Sequence, residues 1–95
     1  MPETFTKWDA AEHLSSREDV RLYLEAYAEE DPGDGSLIRA ALNDIARARN
    51  MSLLARDAGM SREGVYKALS ENGNPSFATV MRITRALGMR LRITV

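Results

Sequence analysis

The stretch from Ser52 to Asn72 constrains this chain most, because its small and apolar residues fall at spacings that permit only a narrow kind of packing. Two short helical segments, Ser52 to Ala58 and Ser61 to Asn72, flank Gly59-Met60. Short helices that cross steeply need a small residue where their axes nearly touch, a glycine in the turn, and apolar residues on the facing sides. Ala55 is that small residue, and Gly59 stands where a turn of positive φ would strain a side chain. Leu54, Ala58, Met60, Val65 and Ala68 supply the facing apolar positions, which leaves Arg56, Asp57, Arg62, Glu63 and Lys67 to point outward. The pattern predicts a helix-turn-helix.

The remainder reads as helical almost throughout. Asp9 with Glu12, and Ser15 with Glu18, have the spacing of capping boxes, so a short turn is expected over 10–14 and a longer helix after it. Val20, Tyr23, Leu24, Tyr27 and Ala28 form one face of that helix, which must stop at Asp31-Pro32-Gly33-Asp34-Gly35. Ser36 is expected to cap a second helix with the stripe Leu37, Ile38, Ala41, Leu42, Ile45 and Ala48. Gly73 reads as a left-handed helix end. Ser76 reads as the cap of a last helix carrying Phe77, Val80, Met81, Thr84 and Leu87, ended by Gly88. From Met89 the period changes to two: Met89, Leu91, Ile93 and Val95 alternate with Arg90, Arg92 and Thr94, as in a strand. Such a strand needs a partner, either Thr4 to Trp8 or its own copy in a second subunit.

The net charge of −1 conceals a division at Gly35. Residues 1–34 carry a net −7 and residues 35–95 a net +6. The expected organisation is therefore an acidic N-terminal extension over 1–34 and a basic domain over 35–95. The acids Glu18, Asp19, Glu25, Glu29 and Glu30 are suited either to solvation or to steering a basic partner. The apolar side of their helix is expected to close the domain. Cysteine is absent, which excludes disulfides and thiolate metal sites and fits a reducing cytoplasm. Lys7, Trp8 and Asp9 interrupt what a secretion signal would need, and no run of apolar residues is long enough to span a membrane. A lone His13 offers no metal site, Asp44 and Asp57 lack a nucleophile or base partner, and there is no glycine-rich phosphate loop. An enzyme is the class least supported, and no cofactor or metal is expected.

The run NMSLLARDAGMSREGVYKALSENGNPSFATVMRITRALG, Asn50 to Gly88, resembles the Cro/repressor (Xre-type) helix-turn-helix family, in which the same core is preceded by one helix and followed by two. The longer run LNDIARARNMSLLARDAGMSREGVYKALSENGNPSFATVMRITRALGMRL is similar to the HigA-like addiction-module antidote proteins, and TKWDAAEHL followed by an acidic helix resembles their N-terminal part. The resemblance implies an all-α fold: a five-helix lambda-repressor-like domain, here with an extra N-terminal helix and a short C-terminal β-strand. It implies a protein that neutralises a small basic toxin of the RelE/ParE kind and represses the operon encoding both. A stand-alone Xre-type regulator, or a toxin-binding protein with a degenerate motif, are the competing readings, and a toxin-like neighbouring reading frame would separate them.

By position in the motif, Arg62, Glu63 and Lys67 face the major groove of operator DNA, with Ser61 capping the recognition helix. An arginine paired with guanine O6 and N7 discriminates by about 1–3 kcal/mol. Glu63 suits a cytosine amino group or, equally, the helix dipole. Backbone amides near Ser52 and Ser61 suit phosphate, as does the Tyr66 hydroxyl, although Tyr66 can also pack on the surface. Gly64 costs about 1 kcal/mol inside a helix, which close approach to DNA or to Leu53 would explain. Arg47, Arg49, Arg82 and Arg85 flank the motif; for the last two, plain solvated charge is the favoured reading. A twofold dimer places two recognition helices about 34 Å apart. Met89, Leu91, Ile93 and Val95, with Phe77 and Leu87, form the expected dimer surface.

Overall fold

A computed structural model of the chain describes residues 16–94. The expected turn over 10–14, the partner segment Thr4 to Trp8, and Val95 lie outside these. Among the described residues there are five helices and no strand: α1 (Arg17–Glu30), α2 (Ser36–Ala48), α3 (Met51–Ala58), α4 (Arg62–Leu69) and α5 (Phe77–Ala86). The chain forms two compact units, 1–49 and 50–95. Helix α2, which opens the basic stretch in sequence, packs on α1 and belongs to the first.

In the first unit, α1 begins where the Ser16 hydroxyl accepts from the Asp19 N–H at 3.1 Å, one residue beyond the expected Ser15 cap. Glu18 and Asp19 in its first turn suit the positive helix end. The helix stops at Asp31 because the residue before a proline is pushed out of helical geometry. Val20 and Tyr23 are buried on α1, and Ala41, Leu42, Ile45 and Ala46 on α2, while Leu37, Ile38 and Ala48 are half-buried. On the exposed side Arg21 bridges Glu18 at 2.6 Å and Glu25 at 2.8 Å.

Ser36 does not cap α2. The N-cap is Gly35, at φ 82°, and it has no capping side chain of its own. The missing acceptors come from Asp31: Oδ1 accepts from the N–H groups of Leu37 (2.8 Å) and Ile38 (3.3 Å), and Oδ2 from those of Gly33 (2.8 Å) and Gly35 (2.9 Å). Asp34 Oδ1 takes the N–H of Ser36 at 2.9 Å. One carboxylate thus folds the whole turn and closes the start of the next helix, and it is held below the usual carboxylate range by the Gly35, Gly33, Leu37 and Ile38 amides.

The second unit is built on Met51, Leu54, Ala55, Ala58, Val65, Leu69 and Ile83, all buried. Val65, Leu69 and Ile83 are completely enclosed, and burial of each such side chain stabilises by about 1.5–3 kcal/mol. Helix α3 packs on both α4 and α5. Its cap is Asn50, whose Oδ1 accepts from the Leu53 N–H at 3.2 Å, so the helix starts at Met51 and Ser52 lies inside its first turn. The segment read as a helix to Asn72 ends at Leu69. Gly73 is not left-handed; a Cβ there would collide with the Ala68 carbonyl oxygen and lie 2.5 Å from that of Lys67. Close backbone approach therefore requires this glycine.

Ser76 caps α5 as expected, accepting from the Thr79 N–H at 3.1 Å. Four residues of the expected face, Val80, Met81, Thr84 and Leu87, are half-buried, but the burial centres on Ile83 at its edge, which is enclosed, while Phe77 is 69% exposed. Gly88 follows the helix at φ 82°, and the Met89 N–H reaches back to the Thr84 carbonyl at 2.9 Å. The expected C-terminal strand is absent among the described residues: 89–94 is irregular, because no described segment lies beside it to share a ladder.

Candidate nucleic-acid interface

Helices α3 and α4 carry the spacing on which the sequence reading turned. Ala55 is 3% exposed, so no larger side chain fits there without displacing its neighbours. Gly59 adopts φ +70°, with its N–H bonded back to the Ala55 and Arg56 carbonyls and the Met60 N–H to Ala55 at 2.9 Å. This αL helix end turns the chain immediately after α3. Leu54, Ala58 and Val65 are buried, and Met60 and Ala68 half-buried, as a pair of helices meeting through apolar faces requires.

Ser61 caps α4, its Oγ accepting from the Gly64 N–H at 2.9 Å. The Val65 N–H bonds the Ser61 carbonyl at 3.1 Å, so the Arg62 and Glu63 amides are left facing outward at the helix start. Leu53 does not crowd Gly64: a Cβ there would sit 3.0 Å from Ser61 Oγ and 3.6 Å from Met60 Cε. At the start of α3 the Leu53 and Leu54 amides go to Asn50, which leaves those of Met51 and Ser52 open.

Arg62, Glu63 and Lys67 are exposed and form no ion pair among the described residues, whereas Arg56 bridges Asp57 at 3.2 Å. The Arg62 guanidinium carbon lies 5.9 Å from the centroid of the half-buried Tyr66 ring. A guanidinium laid against an aromatic face keeps its planar fork available for bidentate contact while losing rotational freedom. Ser52 and Ser61 are exposed, as are Arg47, Arg82 and Arg85, and Arg49 is half-buried. The described residues include no cluster of His, Asp and Glu arranged to hold a metal. None of the helices is long and apolar enough to cross a membrane.

The sequence reading missed one polar network, in the first unit. The Tyr23 hydroxyl donates to Asp44 Oδ2 at 2.6 Å and lies 3.2 Å from the Tyr27 hydroxyl, with ring centroids 4.8 Å apart. Burial and the bond to Asp44 push the Tyr23 phenol well above its ordinary value. Nothing local marks this pair, since the partners are separated by a helix end and a turn.

A family profile described as "probable addiction module antidote protein" matches residues 4–95. The chain belongs to this family of antidotes. An uncharacterized protein of Haemophilus influenzae is 55% identical over 93 residues, covering 98% of this chain and 94% of its own length. No solved structure matches at a significant level. An antidote implies a toxin partner.

Proposed function

We propose that this antidote is the antitoxin of a type II toxin–antitoxin module, acting in the cytoplasm as a homodimeric, HigA-like, Xre-type repressor without catalytic activity. It binds operator DNA through α3 and α4, represses its own operon, and neutralises a RelE/ParE-like toxin. The observation that carries the DNA reading is the outer face of α4, where Arg62, Glu63 and Lys67 stand exposed, with no ion pair among the described residues, beside open helix-start amides. Arg62 is suited to guanine and Glu63 to a cytosine amino group, while the amides near Ser52 and Ser61, with Tyr66, suit phosphate.

The test is a gel shift on the upstream region of its own operon. Arg62→Ala with Lys67→Ala should abolish sequence-specific retention, at a cost of about 1–3 kcal/mol per lost base contact. Wild-type affinity should fall steeply with salt, as each neutralised phosphate releases counterions. Unchanged specific binding by the double variant would remove α4 as the reading helix. Co-expression with the adjacent toxin gene addresses the second activity: growth should be restored by the chain and by the double variant alike.

A further inference from the structure

Opposite charges that are neighbours in sequence meet in α3 and stay apart in α4. In α3, Arg56 reaches round to Asp57 at 3.2 Å. In α4 the same spacing holds for Arg62 and Glu63, both exposed, yet they form no ion pair among the described residues. Lys67 does not take Glu63 either, although a glutamate four residues ahead of a lysine is the favoured helical pair.

What α4 has and α3 lacks is a ring four residues after the arginine. Side chains on a helix lean toward its N-terminus, so the residue at i+4 lies back over the residue at i. Arg62 and Tyr66 stand at that spacing, and the guanidinium carbon lies over the ring, 5.9 Å from its centroid. Four residues after Arg56 stands Met60, in the turn beyond the helix, and it offers a cation no aromatic face. Tyr66 is half-buried, so packing restrains its ring, and a restrained ring is a platform for a long side chain that otherwise samples many rotamers. An arginine already restrained loses less freedom when its fork closes on a guanine edge.

We infer that Tyr66 is a positioning residue: its ring holds Arg62 off Glu63 and ready for a guanine, and so sharpens base discrimination without itself touching a base. This rests on the DNA reading above and gives the ring a task separate from the phosphate contact suggested for the hydroxyl.

The test is binding of the full chain to the upstream region of its own operon, with each base pair of the bound site replaced in turn. Arg62→Ala marks the base pair that Arg62 reads, because the preference there should fall by about 5–150-fold. Tyr66→Leu should lower the preference at that same base pair by about 2–5-fold, the worth of an exposed cation–ring contact, and leave the others unchanged. Tyr66→Phe keeps the ring and should keep the preference, since a lost phosphate contact weakens all sequences alike. In an Arg62→Ala background Tyr66→Leu should cost no further preference. Tyr66→Met repeats the leucine arm with another good helix former, and thermal unfolding followed by circular dichroism shows that the variant assayed is folded.

Unchanged preference in the folded leucine or methionine variant overturns the positioning role and leaves the DNA reading in place. So does a loss at that base pair shared by Tyr66→Phe, a loss spread evenly over the site, or an Arg62→Ala chain that marks no base pair. A wild-type chain without sequence-specific retention removes the DNA reading and the positioning role with it.

Discussion

Both units are held by enclosed aliphatic side chains, Ile45 in the first and Val65, Leu69 and Ile83 in the second, but between α1 and α2 a polar pair distant in sequence is added to that packing, whereas in α3–α5 the polar bonds described serve the helix ends. Asn50, Ser61 and Ser76 each bond an amide three residues on. Tyr23 instead reaches Asp44 on the next helix, and Asp31 spans the turn to Leu37 and Ile38. Charge divides the same way: residues 1–49 carry a net −5 and residues 50–95 a net +4. A unit that adds buried ionisable groups to its packing responds to pH, while one joined by aliphatic packing alone keeps its charged face fixed over the same range.

The hardest blow to this contrast is struck at Ile83, which is fully enclosed. Ile83→Ala should cost about 2–5 kcal/mol in thermal unfolding followed by circular dichroism. A loss below about 1 kcal/mol would mean that packing does not dominate α3–α5. Tyr23→Phe should cost less, about 1–3 kcal/mol in urea unfolding, by leaving the half-buried Asp44 carboxylate without its donor.

Tyr23→Phe also changes the response to alkali. Because the folded state raises the Tyr23 phenol above its usual value of about 10, its stabilisation is complete below that pH and lost as pH climbs past it. Wild type should lose stability through that window and the variant should not. Asp31 has the opposite sign. Its carboxyl is depressed by backbone N–H donors, so the stability it contributes is present above its ordinary value and drains away as pH falls through the lowered one. Asp31→Asn should flatten the acid limb of a stability-against-pH curve.

The smallest expected effect sharpens the view of α4. Gly64→Ala gains up to about 1 kcal/mol of helix propensity but presses on Ser61 Oγ, 3.0 Å from the new Cβ. The net change should stay under that figure, and the full gain should appear only in a Ser61→Gly background. Equal gains in both backgrounds would show that the cap is not crowded.

The α3–α4 pair was legible because its information is local: Ala55, Gly59 and Ser61 stand at offsets fixed by helix geometry. Boundaries failed at the starts of α2 and α3: Asp31 and not Ser36 supplies the acceptors for α2, and Asn50 caps α3 one residue ahead of Met51 where the helix was expected from Ser52. In both cases the capping side chain lay earlier in the chain than the residue expected, by five positions and by two. Ile83 was missed although it stands three residues after Val80 and four before Leu87, because only tertiary packing decides how far round the helix the enclosed stripe reaches. The outward placement of Arg62, Glu63 and Lys67 followed from the apolar slots alone, while the Arg62–Tyr66 contact needed coordinates. The Tyr23–Asp44 bond left no trace in sequence, because neither residue type nor spacing announces a partner on another helix.

Gly59 and Gly73 look alike in the sequence and would behave differently under saturation mutagenesis. Around Gly59 there is open space, so the obstacle is one of dihedral angle, and asparagine or aspartate should survive selection with modest loss. Around Gly73 the obstacle is matter: two carbonyl oxygens already occupy the volume of a methyl group. No side chain relieves that, so every substitution at 73 should be lost from a selection for folded protein, whatever the chain binds.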